Sequence, residues 1–332
     1  MDQFLDASFL GQAVWLWLVF GSIVILLLAL DLGLLHRTDR EIGVSESLWL
    51  SAGYIAIACL FGAWVWYELG ATAGVEYFTG FVVEKSLSLD NVFVIAMIFS
   101  FFAIPRAYQH RVLFWGILGV IVLRALLIGL GAAVVTQFSW TLYVFGAFLV
   151  ATGIKMLWLS VDHAPDLGNS RVLGFLKRRL RVTEQLHGNR FFVQLPDPAS
   201  GRARRWATPL FLALCMVEFV DLIFAVDSVP AIFAITTDPF IVYTSNIFAI
   251  LGLRALYFAL AAMMERFKYL KYALALVLVF VGAKIFLVNL IGKVPPALSL
   301  AVIFSLIGGG ILYSLWRTRA AGPHPEDARP AS

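Results

Sequence analysis

The segment VEFVDLIFAVDSVP, residues 217–230, places three acidic residues inside an apolar run that is long enough to cross a bilayer. An acid at membrane depth costs about 2.5–3.5 kcal/mol on insertion scales, so three acids on one segment predict a functional site. The segment EKSLSLDNV, residues 84–92, repeats the arrangement of an acid, five residues, Asp, a small polar residue and Val that runs from Asp221 to Val229. The two segments therefore predict a pair of related acidic membrane helices.

The composition is that of a polytopic membrane protein. Of 332 residues, 61% are hydrophobic and 14% are charged, which leaves too little polar surface to cover a soluble globule. A bilayer crossing needs about 20 mostly apolar residues. Cys59 and Cys215 lie in different apolar runs without a CxxC spacing, which predicts small core residues rather than a disulfide or a thiolate metal site. The sequence predicts an all-α fold with about nine transmembrane helices, at 10–35, 45–68, 75–103, 111–136, 139–160, 207–236, 240–264, 270–291 and 297–316.

The distribution of Lys and Arg predicts the orientation of the chain. Of 25 such residues, nineteen fall on one side of the predicted membrane, only Lys293 falls on the other, and five lie within spans. We expect the N-terminus outside and the C-terminus in the cytoplasm. The basic loop at 161–206 is interpreted as positive-inside bias and lipid headgroup contact, with regulation as the alternative. Its bases are not interleaved with aromatic residues in the way that nucleic-acid binding requires.

Two groups of three spans form an internal repeat. After the acidic span, each copy has a helix with an arginine, Arg124 or Arg254, and then a helix with a lysine, Lys155 or Lys284. The Arg-to-Lys spacing is 31 residues in one copy and 30 in the other. Because each copy has an odd number of spans, the second copy must enter the membrane from the opposite face, which predicts the inverted 3+3 repeat of secondary transporters with a midplane site. The predicted regions are two N-terminal helices within 1–70, the first repeat at 75–160, the loop at 161–206, the second repeat at 207–291, the last helix at 297–316 and a cytoplasmic tail at 317–332.

The spacing of the acids predicts broken helices. In a continuous helix, residues six apart point about 120° from each other, so Glu84 and Asp90 would not share a face. Pro230 removes the hydrogen-bond donor for the carbonyl of Val226 and would free an oxygen beside Asp227. A break in the first copy would have to rest on Ser86, Ser88 and Asn91. We therefore expect both acidic helices to be unwound or kinked.

The donors in these segments are hard oxygens. All five histidines lie outside the spans or at their ends, and the cysteines are isolated. Carboxylate, amide and hydroxyl oxygens suit Mn²⁺, Mg²⁺ or Ca²⁺ rather than Cu⁺ or Zn²⁺. Met97 and Met216 could add a soft donor that favours Mn²⁺ over Ca²⁺, although packing is the commoner role of a membrane Met. The site is expected to comprise Glu84, Asp90, Asn91, Asp221, Asp227 and Ser228.

Basic residues within the spans offer a structural alternative to cation binding. Pairing with Lys85, Arg124, Lys155, Arg254 and Lys284 could simply neutralise the acids. Pairing alone does not explain why the acids cluster on two related helices while the bases are spread over their neighbours. We expect the two arginines to hold an empty cavity together, so that arrival of a cation or a proton breaks and remakes the pairs and couples export to proton uptake. Asp31 in the first span is either interfacial or part of a polar pathway.

At these residues the sequence resembles the TerC family of integral membrane proteins, most closely its alkaline-inducible Alx branch. The motifs that carry the resemblance are FVVEKSLSLDNVFV at 81–94, residues 217–234, TTDPFIV at 236–242 and SNIFAILGLR at 245–254. The resemblance extends over essentially the whole chain and implies membership of the LysE-like transporter superfamily, with manganese export across the inner membrane as the leading activity. Family members are also associated with tellurite resistance, the response to alkaline pH and metal supply to secreted proteins. The acids that the resemblance assigns to the metal site are Glu84, Asp90, Glu218, Asp221 and Asp227.

Three functional hypotheses follow. The first is a Mn²⁺ exporter, with Mg²⁺ or Ca²⁺ as alternative substrates and with metal ions and lipid as its partners. The second is a membrane scaffold or stress-response component, linked to tellurite or redox, whose acids hold a structural ion. An intramembrane hydrolase is disfavoured because no nucleophile, Gly-Asp motif or His/Cys set accompanies the acids, so we expect no enzymatic activity. Gly308-Gly309-Gly310 in the last span fits either close contact with a second copy, giving a homo-oligomer, or a flexible or tightly packed intramolecular helix.

Overall fold

The computed structural model describes residues 7–34, 43–138, 140–158, 171–196, 202–261, 270–291 and 294–320, most of them in long helices. The helices are α1 (Val14–Leu34), α2 (Val44–Leu69), α3 (Ala71–Phe101), α4 (Arg106–Gln137), α5 (Thr141–Trp158), α6 (Arg171–Arg179), α7 (Pro209–Phe233), α8 (Pro239–Ala261), α9 (Leu270–Ile291) and α10 (Pro296–Ala320). Two antiparallel hairpins complete the described chain, β1 (Ser8–Phe9) with β2 (Gln12–Ala13) and β3 (Phe192–Pro196) with β4 (Ala203–Ala207).

The helices have the length and apolar content of membrane spans. Within the described ranges, six are long and apolar enough to cross a bilayer, and shorter apolar stretches lie at Val14–Leu30 in α1 and Pro239–Leu253 in α8. α3 is 31 residues long, but Glu76, Glu84, Lys85 and Asp90 interrupt its apolar sequence. Large apolar side chains such as Ile25, Leu60 and Leu312 are more than two-thirds exposed, as expected where lipid replaces water. The protein is therefore a mainly helical, multi-pass integral membrane protein.

The long helices pack across the chain rather than only against their sequence neighbours. α3 lies along α8, α4 along α7, and α5 along α9. Glycines permit the closest of these approaches: a Cβ added at Gly153 would lie 2.7 Å from the carbonyl oxygen of Ala275, and a Cβ at Gly282 would lie 2.6 Å from that of Gly146. α2 covers the α3–α8 pair, and α10 packs on α3 and α9.

The two acidic helices are continuous, so the prediction that they unwind is wrong, while the alternative of a kink stays a prediction. α3 is helical from Ala71 to Phe101. α7 is helical from Pro209 to Phe233 with Pro230 inside it. The prediction assumed that acids six residues apart must reach one cavity; among the side chains that the structure describes, those that meet are spaced seven apart along each helix, at a helical repeat.

The region between α5 and α7 is more ordered than the sequence indicated. The sequence predicts a basic loop at 161–206, whereas the described residues 171–196 and 202–207 contain α6 and the β3–β4 hairpin. Arg205 lies over the ring of Phe192, 4.0 Å from its centroid, and Thr208 donates a 2.7 Å hydrogen bond to the carbonyl of Arg190. These contacts fix the hairpin against the start of α7.

Two smaller predictions also need correction. Cys59 was expected in the core but is exposed, while Cys215 is partly buried, and both are free thiols. No atom of a neighbouring residue lies within 4 Å of a Cβ built at Gly308 or Gly309. Tight intramolecular packing is therefore not the role of these two glycines.

Candidate functional site: a buried arginine between two carboxylates

Arg124 is the centre of the buried polar cluster. Its Nη1 lies 2.8 Å from Oε1 of Glu84 and donates a 2.6 Å hydrogen bond to Oγ of Ser228. Its Nε lies 3.6 Å from Oδ2 of Asp221, whose Oδ1 accepts a 3.4 Å hydrogen bond from Nδ2 of Asn91. The arginine is 1% exposed and the glutamate 2%. Two carboxylates thus share one guanidinium away from water.

Helix register brings these groups together. Glu84, Ser88 and Asn91 follow one another at four and three residues along α3, and Asp221 and Ser228 lie seven apart on α7, so each set occupies one helical face. Glu84, Arg124 and Asp221 also lie within about 5 Å of the middle of their helices, at 1.5 Å per residue. The cluster is therefore near half-depth in the helix bundle.

Several oxygens at this cluster have no hydrogen-bond partner. Among the described residues, these buried atoms include Oγ of Ser88, Oδ1 of Asn91 and Oδ2 of Asp221. Leaving a buried polar atom unpaired costs about 1–3 kcal/mol, and such atoms in a native structure require an explanation. The oxygens of Asn91 and Asp221 would be satisfied by a cation or by a hydrogen-bond donor, whereas Nε of Arg124, which is also unpartnered, needs an acceptor.

A cavity of about 60 Å³, which we call the central cavity, adjoins the cluster. It has room for an ion or one or two waters. Met156 on α5 is one of its lining residues and also packs against neighbouring apolar residues, whereas Met216, one of the two methionines expected to offer sulfur, is packed in a different apolar cluster with residues of α3, α4 and α7. The cavity is lined by Glu84, Leu87, Ser88, Asn91, Arg124, Met156, Phe224, Ser228 and Leu278.

Glu218 does not line the central cavity. Its carboxylate packs on Gly119 of α4, where a Cβ would clash with both carboxylate oxygens, and Gly116 is the next glycine along that surface. Its Oε2 is buried without a hydrogen-bond partner. Glu218 is thus one turn from Asp221 at the α4–α7 contact, beside the central cluster rather than in it.

Most of the other basic residues expected to neutralise the acids do not do so. Lys85 donates a 3.1 Å hydrogen bond to the carbonyl of Ala249 in α8, Lys155 is exposed, and Lys284 lies in a different cavity. Pro230 is buried inside α7, as expected, and the release of the Val226 carbonyl oxygen beside Asp227 stays a prediction. Of the side chains that the structure describes, Arg124 is the basic residue that pairs with the predicted acids.

Four predicted residues lie on helices but outside the described side chains: Asp31 on α1, Asp90 on α3, Asp227 on α7 and Arg254 on α8. Their positions therefore remain sequence predictions. Within the part of the chain that is described, no three His, Cys, Asp or Glu side chains converge in a way that could hold a metal ion.

Apolar residues separate the central cavity from a much larger one of about 760 Å³ at one end of the bundle, which we call the Glu76 cavity. On each of α3, α5, α7 and α9, an apolar residue lies between a residue that lines the central cavity and one that lines the Glu76 cavity. On α5, for example, Met156 lines the central cavity, Leu142 lines the Glu76 cavity, and Leu149 lies between them. On the opposite side, Asp221 borders a void of about 40 Å³ with mostly apolar walls. The separating layer, which we call the apolar barrier, consists of Val83, Leu149, Ala231 and Val281.

Sequence reasoning missed Met156 as a cavity residue, Glu76 as the acid of the large cavity and Asn246 as a buried amide. Asn246 is fully buried on α8 and neither of its side-chain polar atoms has a partner in the described chain. Its spacing to Ile250 and Leu253, which line the small void, places it on the helix face that points toward α3 and α4. This helical spacing is visible in the sequence and could have identified Asn246. In the sequence, only the spacing between acidic residues was compared.

Comparison with known proteins decides the family. The model of the integral membrane protein TerC family matches residues 69–321. The chain belongs to the TerC family. The resemblance inferred from the sequence motifs is thereby confirmed, and the polar cluster at Arg124 lies within the TerC match.

Curated relatives cover nearly the whole chain. A protein called "Uncharacterized membrane protein" from Rickettsia bellii is 48% identical over 91% of this chain and 97% of its own. "Uncharacterized membrane protein STKORF319" from Myxococcus xanthus is 46% identical over 94% and 96%. "Putative membrane-bound redox modulator Alx" from Salmonella typhi is 44% identical over 91% and 94%. No solved structure matches this TerC protein.

Proposed function

We propose that this protein exports a divalent metal cation across the inner membrane, with Mn²⁺ as the preferred substrate. The observation that carries the proposal is the buried triad in which Glu84 and Asp221 share Arg124 beside unpartnered oxygens. The guanidinium occupies the place where a substrate cation would be held by the same carboxylates. When a cation displaces the guanidinium, the carboxylates of Glu84 and Asp221 bind the cation instead of Arg124, so the same two residues serve the empty and the loaded state.

The donor set supports a hard cation with some affinity for sulfur. The carboxylates of Glu84 and Asp221, the amide oxygen of Asn91 and the hydroxyl of Ser88 are oxygen donors, which suit Mn²⁺, Mg²⁺ and Ca²⁺. Met156 adds a thioether at the cavity wall. A soft donor favours Mn²⁺ over Mg²⁺ and Ca²⁺. Asp90 and Asp227 remain predicted ligands from the sequence.

The packing supports an inverted repeat of α3–α5 and α7–α9. The sequence offset that relates Lys155 to Lys284 also relates Gly153 to Gly282 and Gly146 to Ala275. The Gly153–Ala275 and Gly282–Gly146 contacts therefore join equivalent positions of the two copies. Such reciprocal contacts are expected of two copies related by a pseudo-two-fold axis. The nine-span arrangement of the sequence remains part of this proposal.

The polar cluster follows the same relation. Glu84 and Asp221 occupy equivalent positions in the two acidic segments, as do Asn91 and Ser228. Asp221 accepts a hydrogen bond from Asn91. The equivalent residues Glu84 and Ser228 both contact Arg124, which links them. A substrate at this point would lie on the proposed axis.

The apolar layers on both sides of the cluster support alternating access. The apolar barrier closes the route to the Glu76 cavity, and the walls of the small void beside Asp221 close the other. Rocking of one repeat against the other would open these layers in turn. The excess of bases on the side of α6 supports a cytoplasmic location for that side, in which case the Glu76 cavity faces outward and the N-terminus lies outside.

The test is cation flux in liposomes containing the purified protein, with Mn²⁺ followed by quenching of an internal dye. We expect wild-type protein to move Mn²⁺, and both Glu84→Gln and Asp221→Asn to move it at less than about a tenth of that rate. Glu68→Gln, which changes an exposed acid on α2, is the matched control and should transport normally. A pH gradient imposed in the same assay tests coupling to protons. If export is coupled to proton uptake, the rate of Mn²⁺ transport changes with the gradient.

A static role is the second candidate, because Arg124 already pairs with both carboxylates and neutralises one of their two charges without a metal. In that case the triad stabilises the bundle of a scaffold protein, in keeping with the tellurite and redox associations of the family. Correctly folded wild-type protein that moves no Mn²⁺, Mg²⁺ or Ca²⁺, with or without a pH gradient, would exclude export and leave this second role.

A further inference from the structure

The Glu76 cavity is large, polar in part and unused by the central site. Its volume is about 760 Å³, and its walls come from the beginnings of α3, α5 and α10, the α7–α8 connection and the end of α9. The apolar barrier separates it from the Arg124 cluster. A cavity of this size at the mouth of a membrane bundle is a candidate binding site in its own right.

One buried hydroxyl at its wall has no partner. Ser299 on α10 is 1% exposed, and its Oγ makes no hydrogen bond within the described chain. Two further buried hydroxyls, those of Thr79 and Thr236, line the same cavity. An orphaned hydroxyl in a polar cavity is explained by a ligand or by the water that a ligand holds.

The charges in the cavity leave one carboxylate for a ligand. Asp238 is occupied, since its Oδ2 accepts a 2.7 Å hydrogen bond from Gln12 and its Oδ1 accepts a 2.8 Å hydrogen bond from the N–H of Phe240. Glu76 has no such partner among the described residues. Lys284 interacts with it electrostatically, but the two form no direct ion pair within the described chain.

The size of the cavity decides the form of the ligand. A volume of several hundred Å³ is far larger than a bare metal ion, and Mg²⁺-like cations release their water shells reluctantly. A hydrated cation can be held through its waters by a carboxylate and several hydroxyls. The chemistry of the walls therefore fits a hydrated divalent cation.

We propose that the Glu76 cavity is a second cation site, in which a hydrated divalent cation binds between Glu76 and Ser299 and Lys284 acts as a tethered competitor for Glu76. The lysine ammonium and the cation cannot both be balanced by one carboxylate, so Lys284 lowers the affinity and promotes release. The release role rests on the proposed export function. The binding itself does not, because it is separated from the central site by the apolar barrier.

The experiment measures Mn²⁺ binding by the loss of the free Mn²⁺ signal in electron paramagnetic resonance. The full-length protein is placed in nanodiscs of zwitterionic lipid, so that lipid headgroups do not bind the cation. All variants are made in a Glu84→Gln background, which disables the central cluster. Elution profile and melting temperature establish that each variant is folded.

Opposite signs are expected for the two charged residues. Glu76→Gln should weaken Mn²⁺ binding by about tenfold or more, and Lys284→Met should strengthen it by about tenfold, because one removes the attracting charge and the other removes the repelling one. Ser299→Ala should weaken binding by about threefold. Lys155→Met is the matched control, since it removes an exposed lysine from the corresponding position on α5, and should leave binding unchanged.

The inference is overturned if Glu76→Gln and Lys284→Met both bind Mn²⁺ as the parent does. It is also overturned if Lys284→Met weakens binding, because the lysine would then attract an anion or maintain the structure. Liposome flux of the same variants with Glu84 restored distinguishes the two proposals. Binding with the expected signs but no flux in wild-type protein would leave the second site standing and reject export.

Discussion

Arg124 holds two carboxylates at a depth where an uncompensated charge is costly. Glu84 and Asp221 approach it from α3 and α7, so its guanidinium links the two acidic helices. Removing one member of a buried charge network usually destabilises by about 3–5 kcal/mol, because the remaining charges lose their partner. In the proposed mechanism, either Arg124 or a substrate cation balances the charges of Glu84 and Asp221, and this exchange can be tested.

We expect Arg124→Met to lower the free energy of unfolding by about 3–5 kcal/mol in metal-free buffer, since Glu84 and Asp221 would face each other without a cation. Addition of Mn²⁺ should restore most of the lost thermal stability, because the cation replaces the guanidinium charge. The measurement is the midpoint of thermal unfolding in detergent with and without Mn²⁺.

Arg178→Met provides the comparison, because Arg178 lies on α6 and is exposed. That variant should melt like wild-type protein and gain nothing specific from Mn²⁺. Failure of both Mn²⁺ and Mg²⁺ to stabilise Arg124→Met would mean that the triad is a structural ion pair and not a cation site.

The thioether of Met156 should affect selectivity rather than folding. Met156→Leu preserves volume and removes the sulfur from the central cavity, so the preference for Mn²⁺ over Ca²⁺ should fall about fivefold, corresponding to roughly 1 kcal/mol. Competition between the two cations in the liposome assay measures this ratio. Met216→Leu, which alters a buried methionine in an apolar cluster, should leave the ratio as it is. Equal ratios in all three proteins would remove sulfur from the ligand set.

At the scale of the elements, continuous helices are sufficient to build the site. Positions separated by four and three residues on α3 and by seven on α7 bring their polar groups to the same cluster around Arg124. The sequence argument compared Glu84 with Asp90 and concluded that the helix must break, whereas the register that matters joins Glu84 to Asn91. α4 contributes Arg124 from a third helix, and only helix packing could show that it faces this pair.

The α5–α9 contact depends on glycines at the point of closest approach. Gly282→Ala should destabilise the protein by about 1–3 kcal/mol, because the new Cβ would lie 2.6 Å from the carbonyl oxygen of Gly146 and the helices would have to separate. Gly129→Ala on α4 should instead be neutral or stabilising by up to about 1 kcal/mol, since no neighbouring atom lies within 4 Å and alanine favours the helix. Thermal unfolding of both variants gives the comparison. A stable Gly282→Ala protein would contradict the tight contact.

At the scale of the whole molecule, the polar groups form separate levels along the bundle. The Glu76 cavity lies at one end, the apolar barrier follows, and the Arg124 cluster lies near the middle. The basic helix α6 and the β3–β4 hairpin lie at the other end, next to the beginning of α7. This order predicts which residues can be reached from each side of the membrane.

The proposed topology can be checked with introduced cysteines in a Cys59→Ala, Cys215→Ala background. Thr237→Cys, in the α7–α8 connection, should react with a membrane-impermeant maleimide in intact spheroplasts, because the proposed topology has that connection on the outer side. Arg179→Cys, at the end of α6, should react only after the membrane is permeabilised. The reverse pattern would invert the orientation, and labelling of both sites from one side would reject the arrangement of spans.

The sequence by itself determined that this is a multi-pass membrane protein of the TerC family, because hydropathy and long motifs are properties of the chain alone. It also identified Glu84, Asp221 and Arg124 as unusual, because a charge within an apolar run is visible without a fold. Only the tertiary structure decided that Arg124 joins the two acids while Lys85 bonds to a backbone carbonyl and Lys155 is exposed. The reason is physical: the rotation and depth of each helix are fixed by close packing against several others, and that information is distributed over the whole chain rather than contained in any one segment.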